Sequence, residues 1–329
     1  MAVSELAAAE LNAGSGIAGR EVELMYLDGG QKPARVAREV AALIDSRRID
    51  ALTGWHISSV RQHLAPVAKG RIPYVYTSLY EGGESNSSVY FSGETPEQQV
   101  LPAMRWLRDY QGVRSWFVVG AKYVWPIRSR HMIYKFASAL DVEIAGEAFV
   151  EMGSADDPKL PQLAARSGCT GVITLLVGQD AVHFNRHFAA HGLDESIVRF
   201  SPLMEENMLL ASGVEATRNL YSSAAYFRSL ATASSLDLIG KYTDDQGAQG
   251  PALNNMAQSC YQGIYTLAHL AHQSGSMEVD HHDAAVDGLT FESPRGVIRF
   301  DGNQAIQRIY LAHADGLDFQ VIGELPTKD

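Results

Sequence analysis

Two aromatic side chains that follow an apolar segment have the clearest potential for binding chemistry. Residues 115–119 are apolar enough for a buried strand, and Tyr123 and Trp125 come just after them. Pro126 then favours the first turn of a helix. Because α/β proteins bind ligands in the loops at the carboxyl ends of their strands, this stretch predicts an aromatic ligand site at a strand-to-helix turn.

Neutral hydroxyl groups are concentrated in this loop and in two earlier ones, residues 54–58 and 76–83. A hydroxyl can both donate and accept a hydrogen bond, and burying an amide group costs a few kcal/mol unless its donors and acceptors are matched. The loops therefore favour a small uncharged polar ligand. The alternative is that the tyrosines at the strand ends only cover the hydrophobic core. The hydroxyl residues are Ser58, Tyr76, Ser78, Tyr80 and Tyr123, and the apolar walls are Trp55, Leu79 and Trp125.

An acidic pair, Glu205 and Glu206, follows a predicted strand that ends at Ser201. Glu205 is therefore a further candidate for contact with a ligand. An acidic pair is equally typical of the first turn of a helix, where carboxylates interact favourably with the helix dipole. The residues alone leave both interpretations open.

These loops connect strands that alternate with helices along the chain. Helices are expected at 2–11, 33–43, 59–68, 96–110, 127–140, 160–165, 179–191 and 236–273. Strands are expected at 21–27, 49–52, 72–76, 116–119, 142–149, 171–176 and 198–201, with short antiparallel strands at 296–300, 309–312 and 319–322. Such alternation produces parallel sheets, so the predicted fold is α/β with two doubly wound parallel-sheet domains.

Composition and charge exclude several classes of protein. The 329 residues are 46% hydrophobic and 20% charged, which is typical of a globular chain with room for two domains. The formal net charge is −11 and no basic run is present, so we expect no nucleic-acid partner. No window approaches the roughly 20 apolar residues of a membrane span, which argues against membrane insertion.

Three motifs match cofactor or metal sites only in part. Residues 14–19 fit the glycine spacing of a dinucleotide site, but they follow a predicted helix, whereas that motif must follow a strand. Residues 280–283 and the pair His269 and His272 lack a third metal ligand at a clear spacing, so a solvated loop and a helix face are favoured. We therefore expect no cofactor and no metal.

The sequence also gives little indication of a catalytic site. His56 and Ser58 suggest a base and a nucleophile, but the sequence places no orienting acid beside them. Cys169 and Cys260 lie far apart in apolar segments and are expected to be buried free thiols. We therefore expect no catalytic residues.

Four segments resemble a known family: residues 54–58, 73–82, 121–126 and 293–298. They look like those of the amide- and urea-binding branch of type I periplasmic binding proteins, and the similarity extends from residue 2 to about residue 323. The Tyr-Glu-Gly and Tyr-Val-Trp-Pro elements are its more specific parts. The branch contains solute-binding subunits of ABC transporters, and also a cytoplasmic amide sensor that restrains an antiterminator controlling amidase expression.

The resemblance implies roles for individual residues. Ser58 and Ser78 would hydrogen-bond the ligand from the first domain. Tyr76 would line the same lobe. Tyr123 and Trp125 would close over the ligand from the second domain.

Two departures from the family pattern bear on the ligand. His56 stands where relatives usually have an aromatic ring, which adds a donor or a titratable group. Leu203 and Met204 stand where relatives can have small hydroxyl residues, which makes the second lobe more apolar. We therefore expect a ligand larger than urea.

The resemblance also implies how the chain is divided. Residues 1–112 with 227–292 would form ligand-binding lobe 1, and residues 113–226 with 293–329 would form lobe 2, joined by a multi-strand hinge. The family has a first parallel strand before the helix with which this sequence opens. Without that strand the first sheet would lose a central member, so truncation or a replacement segment is expected.

Three classes of function follow from the resemblance. A solute-binding receptor would close on an amide-like or amino-acid-like molecule and deliver it to an ABC permease, in the periplasm or at the cell surface if an upstream export signal has been removed. The alternative, a cytoplasmic amide sensor, would bind an antiterminator regulator. An amide-processing enzyme would depend on His56 or Glu205. The receptor is the favoured prediction, with closure driven by differential ligand affinity and without catalysis.

Overall fold

The computed structural model describes residues 1–247 and 250–326, which form eleven α-helices and thirteen strands. The helices are α1 Ala2–Asn12, α2 Pro33–Asp45, α3 Ser58–Ala68, α4 Pro96–Tyr110, α5 Val124–Leu140, α6 Lys159–Arg166, α7 Gln179–Ala190, α8 Glu206–Ser212, α9 Ala233–Gln246, α10 Asn255–Ser274 and α11 Val279–Ala285. The strands are β1 Leu52–Gly54, β2 Tyr74–Tyr76, β3 Val89–Phe91, β4 Ser115–Ala121, β5 Glu143–Val150, β6 Gly171–Leu175, β7 Val198–Ser201, β8 Leu220–Ala224, β9 Thr290–Ser293, β10 Gly296–Asp301, β11 Gln304–Ile306, β12 Ile309–Asp315 and β13 Asp318–Leu325. Within the described ranges, none of the helices is both long and apolar enough to cross a bilayer.

The chain divides into two compact units. Unit 1 contains Met1–Glu94 and Ala231–Gln307, and unit 2 contains Thr95–Leu230 and the chain from Arg308 onward. The backbone therefore passes from one unit to the other at three crossings, which follow Glu94, Leu230 and Gln307.

Unit 1 is built on a six-stranded sheet with the order β1-β2-β3-β11-β10-β9. β1, β2 and β3 run parallel, and β9 and β10 form an antiparallel hairpin. Successive side chains of a strand point to opposite faces, so Tyr74 and Tyr76 pack in one core with α2 and α3 while Val75 packs in another with α10. Helices therefore bury both faces of this sheet.

Unit 2 has a seven-stranded sheet with the order β13-β12-β8-β7-β6-β4-β5. The five strands from β8 to β5 run parallel, and β12 and β13 add an antiparallel pair at the other edge. β4 and β6 are buried along nearly their whole length, as expected of central parallel strands that are covered on both faces. The predicted α/β class with two doubly wound domains is confirmed.

Residues 21–27 form no strand, so this prediction from alternating polar and apolar side chains is wrong. A strand requires a ladder partner, and none of the described strands pairs with this segment. β1 is consequently an edge strand that pairs with β2 alone among the described strands. The described chain opens with α1, and unit 1 lacks a distinct first strand, as the sequence predicts.

Other boundaries differ because tertiary pairing decides them. The helix expected over 236–273 is divided into α9 and α10. β3, β8, β9 and β11 are absent from the sequence prediction because each has only three to five residues and is defined by its ladder neighbours. β1 begins at Leu52, three residues later than the predicted strand.

The compact units divide the chain at other positions than the predicted lobes. α4 packs against α5 and β8 and lies in unit 2, whereas the prediction gave it to lobe 1. β11 pairs with both β3 and β10, so residues 293–307 lie in unit 1, whereas the prediction gave them to lobe 2. Residues 227–230 likewise fall in unit 2.

Candidate functional site

In unit 1, hydrogen bonds to the backbone of His56 connect the carboxyl ends of β1 and β2. The His56 backbone N–H donates to Ser78 Oγ at 2.9 Å, and the Ser78 hydroxyl donates back to the His56 carbonyl at 2.8 Å. The Tyr76 hydroxyl donates to the same carbonyl at 2.8 Å. Because a carbonyl oxygen can only accept, both hydroxyl protons are committed to it. Three of the predicted ligand residues are therefore brought together, and they are bonded to one another.

The imidazole of His56 is neutral near pH 7. Burial lowers its pKa to about 4, although Nδ1 lies 3.3 Å from the Ile57 carbonyl, which favours the protonated form. Nε2 lies 2.7 Å from the Tyr74 hydroxyl. When Nδ1 carries the proton toward the Ile57 carbonyl, Nε2 accepts from Tyr74, so both ring nitrogens are engaged within unit 1.

A buried ion-pair network connects α3 with the loop that follows β2. The Arg61 guanidinium pairs with Glu81 Oε1 at 2.8 Å and also with the Glu84 carboxylate. The Ser58 hydroxyl donates to Glu81 Oε2 at 2.7 Å, so its proton is committed as well. Arg61 is 0% exposed and lies 4.9 Å from the centroid of the Tyr76 ring. The network fixes the start of α3 against the loop that follows β2.

Sequence reasoning did not select Arg61, Glu81 or Glu84. Arg61 is followed in α3 by the polar residues Gln62 and His63, and nothing in its spacing indicates complete burial. The available signal was the Tyr-Glu-Gly element, which contains Glu81. A buried carboxylate requires a cation or hydrogen-bond donors, and this requirement points to a basic residue nearby.

Gly93 packs against the backbone of the loop that follows β2. A Cβ on Gly93 would stand 1.9 Å from the carbonyl oxygen of Ser78, so a side chain here would displace the backbone beside the His56 carbonyl. Gly93 precedes Glu94, whose backbone carbonyl accepts from the Tyr80 N–H at 2.9 Å. The close approach of these two loops therefore depends on the missing side chain.

In unit 2, the predicted aromatic pair lies at the carboxyl end of β4. Tyr123 occupies the N-cap position of α5 and is half-buried, and Trp125, in the first turn, is buried. Their ring centroids are 6.3 Å apart. The prediction of an aromatic pair at a strand-to-helix turn is correct in its geometry, and its ligand role stays a prediction.

The predicted acidic candidate lies at the end of β7, which is separated from β4 by β6. Glu205 is the N-cap residue of α8 and is 3% exposed. Its neighbour Glu206 accepts from the Arg228 N–H at 2.8 Å, and burial raises the pKa of Glu206. Leu203 and Met204 are buried beside them, which agrees with the more apolar character expected of this loop.

The motifs set aside from the sequence have structural roles. Residues 14–19 form a turn after α1, with an isolated bridge between Ile17 and Arg20. Residues 280–283 lie on α11 and not in the expected loop, and Asp283 accepts from the Ser88 N–H and the Tyr90 hydroxyl. His269 stacks on Phe291 at 4.2 Å.

No cluster of three potential metal ligands is present among residues 1–247 and 250–326. Cys169 and Cys260 are free thiols, and Cys169 is buried. Burial raises the pKa of both thiols, which makes them poor nucleophiles.

Comparisons with known proteins agree with this architecture. A family model described as periplasmic binding protein matches residues 2–318. A solute-binding protein of an ABC transporter from Rhodopseudomonas palustris, solved with p-hydroxybenzoic acid, is 18% identical with a TM-score of 0.84, and the match covers 99% of this chain and 93% of that one.

Two amino-acid-binding proteins are similarly close in structure. A branched-chain amino acid substrate-binding protein from Streptococcus pneumoniae, solved with isoleucine, is 14% identical with a TM-score of 0.83, and the match covers 98% of this chain and 93% of that one. A leucine-binding protein from Thermotoga maritima is 16% identical with a TM-score of 0.84, and the match covers 98% and 92%. At these identities the likeness shows the fold alone.

Proposed function

We propose that this chain, which belongs to the periplasmic binding protein family and has its type I fold, is a non-catalytic solute-binding protein that delivers a small polar ligand to an ABC permease. Its working place would be the periplasm or the cell surface. The extent of the family match, from residue 2 to residue 318, supports the class of function. The arrangement of hydroxyl groups in unit 1 supports the class of ligand.

Three hydroxyl protons of the candidate site are already used inside unit 1. Ser58 donates to Glu81, and Ser78 and Tyr76 donate to the His56 carbonyl. Their oxygens retain lone pairs, so they can accept from a ligand but cannot donate without losing an internal bond. This favours ligands that carry N–H donors over ligands that offer acceptors alone.

Charge favours the same class of ligand. Arg61 is already neutralised by Glu81 and Glu84, and His56 is neutral near pH 7 because burial lowers its pKa to about 4. A ligand carboxylate without an amine would find no compensation from these two groups. An amide-like, urea-like or amino-acid-like molecule, whose N–H groups meet hydroxyl acceptors, fits the unit 1 residues better.

The proposed mechanism is closure of two units on one ligand. His56, Ser58, Tyr76 and Ser78 would contact or orient the ligand from unit 1, and Tyr123, Trp125 and Glu205 would do so from unit 2. Neither set satisfies a small polar molecule alone, so a ligand bound by both sets stabilises the closed arrangement. The energy comes from differential affinity, and no bond is made or broken.

A calorimetric survey tests this proposal. The purified protein would be titrated with butyramide, urea, leucine and 4-hydroxybenzoate under identical conditions, and ammonia release from the amides would be assayed in parallel. We expect binding of an N–H-bearing compound and no ammonia. Tight binding of 4-hydroxybenzoate alone would contradict the ligand class, and steady release of ammonia would contradict the non-catalytic function.

A further inference from the structure

The turn between β9 and β10 contains a fully buried cation that lies outside the proposed ligand loops. Arg295 stands in the two-residue connection between Ser293 and Gly296, which face each other across the hairpin. The Ser293 hydroxyl accepts from the Arg295 N–H at 3.1 Å and donates to the Gly296 carbonyl at 2.9 Å. These bonds fix the turn, and Arg295 is 0% exposed.

The Arg295 guanidinium is bonded on all sides within unit 1. Nε donates to the side-chain oxygen of Gln258, Nη1 to Gln307 Oε1 at 3.3 Å and Nη2 to the Asn255 carbonyl at 3.1 Å. Nη1 also lies 3.7 Å from Glu94 Oε1. The charge is therefore compensated by one carboxylate and three oxygen acceptors.

Two of these partners are the last residues of unit 1 before a crossing. Glu94 precedes the first crossing and Gln307 precedes the third. Each is bonded a second time within unit 1. Glu94 Oε1 accepts from Asn255 Nδ2 at 3.0 Å, and Gln307 Nε2 donates to the Ser92 carbonyl at 3.0 Å. One arginine thus joins the ends of two segments that are 213 residues apart in sequence (307 minus 94).

We propose that Arg295 is a positioning residue that fixes the direction in which the chain leaves unit 1 at two of its three crossings. Bending between the units is then confined to residues beyond Glu94 and Gln307, so that closure follows one path. The inference rests on the proposed function, since a defined path matters only to a protein whose units close on a ligand.

Hydrogen–deuterium exchange without any ligand tests this role. In Arg295→Gln, we expect the backbone amides of residues 92–95 and 305–309 to exchange at least tenfold faster than in the original protein, while those of β2 keep their rates. The matched control is Arg199→Gln. Arg199 is also 0% exposed, but it lies in unit 2, where Nη1 donates to Asn185 Oδ1 at 2.7 Å and to the Ala216 carbonyl at 2.9 Å. Arg199→Gln should leave exchange at both crossings unchanged.

Several outcomes would overturn the proposal. One is an unchanged exchange rate at the crossings in a folded Arg295→Gln protein. A general rise that includes β2 to the same degree, or an equal rise at the crossings in Arg199→Gln, would show a merely structural role.

If Arg295→Gln does not fold, Gln307→Ala removes one partner of the guanidinium together with the bond from Gln307 Nε2 to the Ser92 carbonyl, and it should accelerate exchange at 305–309 more than at 92–95. Equal or unchanged rates at the two segments would then overturn the proposal. Because no ligand is present, a failure of the proposed transport function would leave these results standing.

Discussion

The carboxyl ends of the two sheets are built in different ways. In unit 1, the polar side chains are bonded to one another, with Ser78 and Tyr76 held to the His56 carbonyl and Arg61 held between two carboxylates. In unit 2, the candidate residues are the half-buried Tyr123, the buried Trp125 and the N-cap residue Glu205, which follow strands separated by β6. The candidate residues of unit 1 are therefore joined by hydrogen bonds and ion pairs, whereas those of unit 2 are two aromatic rings and one carboxyl group.

Because of this difference, we expect the two units to lose different amounts of conformational entropy when a ligand binds. A surface whose side chains are already ordered loses little conformational entropy when a ligand arrives, so its contribution to affinity is high per contact. The half-buried Tyr123 retains more exposed surface than Tyr76 or Ser78, and its ring offers a large contact area. We expect substitutions in unit 1 to affect stability as well as binding, and substitutions at Tyr123 to affect binding alone.

The largest effect is expected from Arg61→Met. The variant leaves Glu81 and Glu84 without their cation in a buried site, which should lower the free energy of unfolding by about 3–5 kcal/mol. Urea denaturation measures this change. The matched control in unit 2 is Arg130→Met, because Arg130 pairs with Glu147 at 2.6 Å with both side chains partly exposed, and its loss should cost about 1 kcal/mol or less. Equal losses of unfolding free energy in the two variants would show that the buried ion pairs of unit 1 contribute no more to stability than the partly exposed pair of unit 2.

Gly93→Ala should destabilise unit 1 by about 3 kcal/mol, because the new Cβ meets the Ser78 carbonyl oxygen. Gly240→Ala in α9 is the control, since a Cβ there meets no atom within 4 Å. It should stabilise the protein by about 0.5–1 kcal/mol through helix propensity. Thermal unfolding of both variants measures the contrast, and a neutral Gly93→Ala would show that the loop is not closely packed.

The pH dependence of stability should contain a contribution from His56. Burial lowers the folded-state pKa to about 4, so the unfolded state binds this proton first as the pH falls. The contribution of His56 to stability is complete above the unfolded-state pKa and is lost as the pH falls toward 4. Between pH 7 and pH 5 the loss should be about 2 kcal/mol.

His56→Gln should remove that part of the pH dependence. Urea denaturation of both proteins at pH 7 and pH 5 gives the comparison. The same decline in both proteins would place the titration elsewhere in the molecule.

The smallest expected effect lies in unit 2. Tyr123→Ala should weaken binding of the compound identified by calorimetry by more than tenfold, about 1.4 kcal/mol, without unfolding the protein. Tyr134→Ala is the control, because Tyr134 lies on the same helix, is 41% exposed and bonds to Glu147. Unchanged affinity in Tyr123→Ala would exclude this tyrosine from the ligand contacts.

Much of the fold could be predicted because hydrophobic periodicity is a local property. The alternating segments give the α/β class and place Ser78 and Tyr123 after strands, where the structure has them, whereas Ser58 begins α3 and Tyr76 ends β2. Residues 21–27 show the limit of this reasoning. Their alternation is that of a strand, but strand formation depends on a neighbouring ladder that the pattern does not contain.

The chemistry within the loops was less accessible from the sequence. The spacing predicts hydroxyl groups near a ligand, but it cannot show that Ser78 and Tyr76 donate to one carbonyl, because their geometry depends on the parallel register of β1 and β2. The pairing of Arg61 with Glu81 spans 20 residues and is equally a consequence of tertiary structure. Donor and acceptor roles, which carry the ligand proposal, become visible only once these contacts are known.

The most direct test of the central claim is to denature the purified protein and identify by mass spectrometry any small molecule that it releases, then to titrate that molecule back by calorimetry. We expect about one molecule per chain, bearing N–H donors and no net negative charge, that binds again without being transformed. Release of an aromatic carboxylate that rebinds tightly, or conversion of the molecule by the protein, would contradict it.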